Sequence, residues 1–189
     1  FMGAAALSVD RATTFFTSKF FSRIIDEILV SPTPPLVMIA GFVAGGMVRG
    51  LGVGILVLLV SLFFALPTIA HPFVVIFFLI LSSLIFSLAG LVNGVYAKNF
   101  DGITIVPTFV LTPLVYLGGV FYSVSALPSW WATLTYFNPI FYLINGFRYG
   151  FLGIADVSIA VSAAVLTVLA LGLIGINWYL IRTGLGLRQ

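Results

Sequence analysis

The sequence predicts an all-α integral membrane protein, folded as a polytopic helix bundle. Of its 189 residues, 61% are hydrophobic and only 7% are charged, whereas soluble domains carry about 25% charged residues. The apolar residues form four long runs, which short polar or proline-containing breaks separate. We therefore predict one transmembrane domain over residues 1–189. It comprises four complete transmembrane helices, a truncated N-terminal helix, a cytosolic amphipathic helix and an outer re-entrant helix pair.

The four runs are each long enough to cross about 30 Å of hydrocarbon. They are Leu36–Leu66, Phe73–Ala97, Ile103–Tyr122 and Val157–Ile181. Pro107 and Pro113 should kink the third run, which membrane helices tolerate where neighbouring groups satisfy the freed carbonyls. Asn93 and Asn177 lie near the ends of two runs, where we expect them to form hydrogen bonds between helices.

Glycines four residues apart predict close packing between helices, because they remove side-chain bulk from one helix face. They are Gly46, Gly50 and Gly54 in the first run, with Gly41 and Gly45 one face over, and Gly90 and Gly94 in the second.

The beginning of the chain predicts a truncated helix. The first residue is Phe1 rather than methionine, and the apolar run to Val9 is too short to cross a membrane. No basic leader marks this run as a signal peptide. We therefore expect an N-terminally truncated chain.

Residues 16–35 predict a short helix with one apolar and one charged face. The charged face carries Lys19, Arg23, Asp26 and Glu27. Ser31-Pro32 and the prolines that follow it end the helix. About a dozen residues are too few to span a bilayer, so we predict a helix at the membrane surface with its polar face towards the cytosol or a partner. The alternative is an ordinary loop helix that contacts only lipid.

The distribution of charge predicts the orientation of the chain. With the charged helix in the cytosol, four spans place most basic residues on the cytosolic side, as the positive-inside rule requires. These residues are Lys19, Arg23, Lys98, Arg182 and Arg188. The opposite side keeps only Arg148, together with His71 and Asp156. The reversed topology would place nearly all the basic residues outside.

Residues 123–156 are too apolar for a solvated loop and too interrupted for a span. Pro128 suits the first position of one short helix, and Asn138-Pro139 is a cap and first-turn proline for a second. The region is crowded with aromatic residues, which gather at membrane–water boundaries. We predict a pair of outer interfacial or re-entrant helices. Their aromatic residues form either an anchoring belt or a gate for substrate, and they include Trp130, Trp131, Tyr136, Phe141 and Tyr142.

The sequence lacks the motifs typical of nucleotide binding, metal binding, acid–base catalysis and nucleic-acid binding. The chain has no phosphate-binding G-x-x-x-x-G-K-[ST] loop, no cysteine and a single histidine, His71. Its five carboxylates are dispersed, and its eight Lys and Arg residues form no basic patch for a nucleic acid. We therefore predict no catalytic residue, no metal site and no nucleic-acid partner.

Two arginines are candidate functional residues. Arg49 lies well inside the first span, where burial costs about 2.5–3.5 kcal/mol, so it must face protein, water or a partner. It therefore lines a translocation path or subunit interface, or forms a structural pair with a buried carbonyl or carboxylate. Arg148 either extends to the outer headgroups or contacts an anionic substrate.

From Asn93 onward, the sequence resembles a known family. The resemblance rests on the run NGVYAKNFDGITIVPTFVLTPLVYLGGVFYSVSALP, on NPI at Asn138 to Ile140, and on GFRYGFLG at Gly146 to Gly153. The glycine-rich span around Arg49 and the SPTP step also match. These features resemble the membrane permeases of the second type of ATP-binding cassette (ABC) exporter, which act in bacteria.

The resemblance implies more than the composition does. Such permeases are six-helix, multi-pass subunits of the bacterial inner membrane that pair as dimers, here a homodimer, and bind two cytosolic ATPase subunits. ATP and magnesium would bind to those ATPases, and this chain would need no cofactor. The helix near Ser18 to Val30 would be the coupling helix, so Lys19, Arg23, Asp26 and Glu27 would contact the ATPase. The outer aromatic helices would correspond to a gate-like re-entrant pair.

Two hypotheses about function follow. The first is a permease subunit of an ABC exporter, which needs a separate ATPase. The second is an ATP-independent channel or secondary transporter, which needs ionisable groups inside its spans. Only Arg49 meets that requirement.

Overall fold

The computed structural model describes residues 34–64, 69–97, 99–119 and 129–184, all of whose regular structure is helical. The helices are α1 (Pro35–Phe64), α2 (Pro72–Tyr96), α3 (Phe100–Ile105), a π-helix (Val106–Leu111), α4 (Thr112–Tyr116), α5 (Ser129–Tyr136), α6 (Pro139–Leu152) and α7 (Ile159–Thr183). We call Phe100–Tyr116, which contains α3, the π-helix and α4, the third segment.

Three of the described helices, α1, α2 and α7, are long and apolar enough to cross a membrane. At 1.5 Å per residue, the 25 residues of α7 extend about 37 Å, more than the roughly 30 Å of hydrocarbon. Their bounds confirm three of the predicted spans within a few residues. The third segment is a shorter, interrupted apolar helix.

Helix α2 is the centre of the bundle, because it packs against α1, α6 and α7. Its most apolar stretch is 61% buried, against 17% in α1 and in α7. One core cluster joins the beginning of α1 to the ends of α2 and α7, through residues such as Ile39, Leu91 and Leu180. A second joins the first half of α2 to α6 and the first half of α7, through Phe78, Leu143 and Leu166. Helix α1 is therefore antiparallel to α2, and α7 is parallel to it.

Helix α6 lies against the first half of α2 at very short range. A Cβ atom added to Gly146 would lie 2.3 Å from the ring of Phe78, and one added to Gly150 would lie 2.5 Å from Val75. These two glycines lie one turn apart on one face, so a groove in α6 receives the side chains of α2. The pairing of 146 with 78 and of 150 with 75 makes α6 antiparallel to α2. The close approach depended on which faces meet, and the sequence analysis did not predict it.

The third segment is interrupted between its two prolines, where the sequence predicted a kink. The backbone N–H of Thr112 donates to the carbonyl of Pro107, five residues back, as in a π-helix. Pro107 has no N–H, so it cannot donate to the carbonyl of Ile103, its α-helical partner. The side-chain amide of Asn93, on α2, donates to that carbonyl instead, at 2.9 Å. A neighbouring helix thus supplies the hydrogen bond that the proline removes.

The turn from α5 to α6 follows the predicted capping pattern. The side chain of Asn138 accepts a hydrogen bond from the N–H of Ile140, and Pro139 occupies the first turn of α6. The amide of Asn138 also donates to the carbonyl of Leu114, in the last turn of the third segment. Asn138 is 3% exposed, so one buried side chain caps one helix and binds the end of another.

The hydrogen bonds and glycine packing predicted within the spans are also found. Asn177 donates to the carbonyl of Leu88 at 3.2 Å, which joins α7 to α2. Both Asn93 and Asn177 are therefore confirmed as hydrogen-bonding residues between helices.

A Cβ atom added to Gly54 would lie 2.8 Å from Leu79, so α1 and α2 approach closely there. Four other predicted packing glycines are buried, and they are Gly46, Gly50, Gly90 and Gly94. Gly45 is partly buried, and the prediction is wrong for Gly41, which is exposed and has nothing within 4 Å of an added Cβ atom.

The role of Asn93 is tested by a double-mutant cycle with Pro107. Asn93→Leu should destabilise the folded protein by about 0.6–2 kcal/mol, because it leaves the carbonyl of Ile103 without its donor. In a Pro107→Ala background the cost should be smaller, since the new N–H at position 107 restores a donor. Thermal unfolding of the four proteins in detergent measures both costs. Equal costs in the two backgrounds would contradict this account of the interruption.

The close contact of α6 with α2 is tested by Gly146→Ala, with Gly172→Ala in α7 as its control. A methyl group at 146 meets the Phe78 ring and should destabilise the protein by about 1–3 kcal/mol. A methyl group at 172 meets nothing within 4 Å. Both changes raise helix propensity equally, so the difference in unfolding temperature isolates the clash. Equal unfolding temperatures would show that the helices separate easily here.

Candidate functional site

The predicted site residues fall in three places. Lys19, Arg23, Asp26 and Glu27 lie outside the described residues, so their contact with an ATPase stays a prediction. Arg49 lies midway along the 30-residue α1. The remaining candidates lie on α5 and α6 or beside them.

Arg148, on α6, joins three parts of the chain at one end of the bundle. Its Nη1 donates to Oδ2 of Asp156 at 2.6 Å, in the loop before α7. Its Nη2 donates to the carbonyl of Gly119 at 2.7 Å, just after the third segment. The side chains of Arg148 and Asp156 are 21% and 17% exposed. The guanidinium is therefore partly buried and engages protein groups, an arrangement that neither sequence interpretation of Arg148 included.

Asn145, one turn before Arg148, holds the loop that carries Asp156. Its Oδ1 accepts from the N–H of Asp156 at 2.8 Å and from that of Val157 at 3.4 Å. Its Nδ2 donates to the carbonyl of Val157 at 2.8 Å and to Oγ of Ser162 at 2.9 Å. Asn145 is 1% exposed, so a buried amide with all its hydrogen-bonding capacity in use fixes this loop. The sequence analysis missed Asn145, although a polar residue on an apolar helix, three before an arginine, was an available signal.

The same end of the bundle is joined to the beginning of α2. The backbone N–H of His71 donates to the carbonyl of Gly150 at 2.9 Å, and the His71 ring stacks on Tyr149 with centroids 4.5 Å apart. His71 is exposed, as expected of a turn residue. Gly153 ends α6 in the left-handed conformation, with φ of 73°, which a residue with a side chain adopts only under strain. The beginnings of α2 and α7, the end of α6 and residue 119 thus meet at this end.

Arg49 is exposed on the surface of the described bundle, between Val48, which is 71% exposed, and the buried Gly50. Gly52, one turn further on, has nothing within 4 Å of an added Cβ atom. A charged side chain at this depth is costly to expose to lipid. Arg49 therefore needs water or protein groups around its charge, and both predicted roles, in a path or interface and in a structural pair, stay open.

The aromatic residues predicted as a belt or gate divide between surface and core. Trp130 is 59% exposed and its ring lies 4.2 Å from that of Trp131, while Tyr136 is 44% exposed. Phe141 is buried at 2% exposure, with its ring edge-to-face to Tyr136. The hydroxyl of Tyr142 donates to the carbonyl of Tyr136 at 2.9 Å, which closes the turn between α5 and α6. Only part of the predicted set thus faces outward.

The sequence of this chain matches a family model described as ABC-2 type transporter over residues 6–152. It is 56% identical over 179 residues to the inner membrane transport permease YadH of Escherichia coli strain K12, an alignment that covers 94% of this chain and 69% of the relative. The permease of the same name from Shigella flexneri matches to the same extent. No solved structure matches the chain.

These matches define a membrane transport protein, and the long apolar helices agree with a location in the membrane. The chain belongs to the ABC-2 type transporter family. It is the membrane permease subunit of an ABC transporter in the inner membrane, so the permease part of the first functional hypothesis is confirmed.

Proposed function

We propose that this chain forms the translocation path of an ABC exporter and is driven by a separate ATPase subunit. The observation that carries the proposal is the family match, which includes both the charged helix at 16–35 and the described spans up to residue 152. The absence of a phosphate-binding loop from the sequence is consistent with it, because nucleotide hydrolysis then occurs elsewhere. ATP and magnesium bind to the partner, and this chain binds no cofactor.

The helix at 16–35 couples the ATPase to the spans. Its charged face offers Lys19, Arg23, Asp26 and Glu27 to the ATPase, while its apolar face lies on the membrane. Helix α1 begins at Pro35, the last residue of this segment. A short connection favours direct transmission, because a displacement of the charged helix is not absorbed by a long linker before it reaches α1.

The third segment also crosses the membrane, which brings the number of spans to four. Helices α5 and α6 form an outer re-entrant pair. Helix α6 supports this assignment, since its 14 residues extend only about 21 Å and it is antiparallel to α2. It begins at the buried Asn138 and ends beside His71, next to the beginning of α2. With the charged helix in the cytosol, that end of the bundle faces outward. The exposed ring of Trp130, near the beginning of α5, then suits the outer membrane boundary, whereas Tyr136 lies beside the turn at Asn138.

Two copies of the chain enclose the path between them as a homodimer. The exposed position of Arg49 supports this arrangement, since a path or a second copy keeps its charge away from lipid. Both copies bind an ATPase subunit, so closure of the ATPase pair acts on both halves of the path.

Charge reversal on the charged helix tests the coupling. Arg23→Glu or Glu27→Lys should weaken co-purification of the ABC ATPase by about tenfold or more, equivalent to roughly 1.4 kcal/mol of binding. Arg188→Glu, predicted to lie on the same side of the membrane, serves as the control and should leave binding unchanged. Equal retention of the ATPase by all variants would remove the charged face from the interface.

Arg49 is tested by comparing Arg49→Leu with Arg49→Lys. In a path, Arg49→Leu should lower ATP-dependent dye or lipid uptake into inside-out vesicles several-fold and leave assembly with the ATPase intact. Arg49→Lys keeps the charge and should retain most of the transport. Loss of assembly alone, measured by co-purification and size-exclusion chromatography, would place Arg49 in a structural contact instead.

A further inference from the structure

The two hydrogen bonds of Arg148 differ in what they connect. Asp156 lies in the loop between α6 and α7, so the ion pair joins residues of neighbouring elements. Gly119 lies just beyond the third segment, and the bond to its carbonyl joins that segment to α6. One planar guanidinium serves both partners, because its N–H groups point in fixed and different directions.

The part of the chain from α6 to the beginning of α7 forms one tied unit. Asn145 binds the backbone of residues 156 and 157 and also Ser162 on α7, and it is 1% exposed. Asp156 therefore stays in place whether or not Arg148 bonds to Gly119. The Arg148–Gly119 hydrogen bond crosses from this unit to the residues that follow the third segment.

Release of Gly119 would leave no unpaired charge. Arg148 would keep its ion pair with Asp156, and its freed N–H could bind water, since the side chain is 21% exposed. The carbonyl of Gly119 is buried, so it would need a new donor when the segment moves. Breaking the ion pair would strand a charge in a partly buried site, which costs more, so of these two hydrogen bonds the one to Gly119 is the less costly to break.

The third segment is not a continuous α-helix. Its α-helical hydrogen bonding is interrupted by the π-helix between Pro107 and Pro113, and π-helical turns recur at functional sites. Beyond the interruption, α4 has only five residues. Leu111 and Leu114 pack against the second core cluster, and three further contacts join the end of the third segment and the residues after it to α6 and its cap. These are Asn138 to the carbonyl of Leu114, the packing of Gly118 on Ile140 and Ile144, and the Arg148 bond.

We propose that Arg148 is a positioning residue for transport. It holds the end of the third segment against α6 in the conformation described here, and it releases Gly119 during the transport cycle. Asp156 orients the guanidinium and keeps it paired after release. This inference rests on the proposed function, because the cycle that moves the segment is driven by the ATPase partner.

The first test measures release directly, and the chain suits it because it contains no cysteine. Leu114→Cys places a thiol on α4, where the side chain is half-buried, and Leu166→Cys places a control thiol in the core at 0% exposure. Adding Arg148→Leu should raise maleimide labelling of the L114C variant by at least about fivefold, the lower range of conformational coupling. Arg148→Lys should give a smaller increase. The L166C variant should stay protected in both backgrounds, which separates release from general unfolding.

The second test locks the segment. Gly118→Cys with Ile140→Cys places two thiols where an added Cβ atom at 118 lies 3.1 Å from Cγ2 of Ile140. Oxidation should lower ATP turnover by the permease–ATPase complex in proteoliposomes, and dithiothreitol should restore it. The control pair, Ala70→Cys with Gly153→Cys, has Cβ atoms 3.7 Å apart and joins parts that the proposal leaves together. Oxidation of this control pair should leave ATP turnover unchanged. The oxidised control is compared with the same variant after reduction, so any effect of a side chain at position 153 is present in both samples.

Two results would overturn the proposal. One is unchanged labelling of the L114C variant when Arg148→Leu is added, and the other is normal ATP turnover by the oxidised G118C/I140C variant. The labelling test requires no nucleotide or partner. A chain that retains no ATPase would therefore refute the proposed function, while the labelling result would still decide whether Arg148 holds the segment.

Discussion

Asparagine side chains supply the hydrogen bonds that the interrupted backbone of this bundle cannot make for itself. In a bilayer, water is not available to satisfy a free carbonyl or N–H group, so each interruption needs a partner within the protein. Asn93 serves the carbonyl of Ile103, which the proline at 107 deprives of its donor. Asn138 serves the turn between α5 and α6, and Asn145 serves the loop between α6 and α7. The rest of the architecture depends on these bonds, because they make turns and broken helices possible within a membrane protein.

The second constraint is close packing on α2. Hydrophobic burial alone does not bring helices together in lipid, where the surroundings are equally apolar, so van der Waals contact must do so. Glycines at 146 and 150 let α6 lie directly on Phe78 and Val75. This contact fixes the depth of α6 beside α2, and it thereby fixes the positions of Asn145 and Arg148 on α6.

The polar groups of the described bundle are concentrated where its parts must stay aligned. Arg148, Asp156 and the amide of Asn145 lie at one end, and they join the third segment, α6 and α7. Arg49 is different, since it is a charged residue midway along a span and exposed on the bundle surface. The polar cluster at the end of α6 joins the third segment, α6 and α7, while Arg49 places a charge on the exposed side of α1.

Much of the fold was predictable from local properties of the sequence. The limits of α1, α2 and α7 follow from hydropathy, which depends only on neighbouring residues. The interruption between Pro107 and Pro113 and the Asn138 cap follow from the chemistry of proline and asparagine. The family was also recognisable from sequence motifs, before any tertiary contact was known.

The sequence by itself therefore determined the helical class, three spans, the helix breaks and the membrane setting. Only the tertiary structure decided that Arg148 bonds to Asp156 and Gly119, that Asn145 holds the loop, and that α6 lies against Phe78. The physical reason is range. Hydropathy and capping depend on residues a few positions apart. An ion pair or a glycine contact depends on which helix faces meet, and contacts between distant parts of the chain determine those faces.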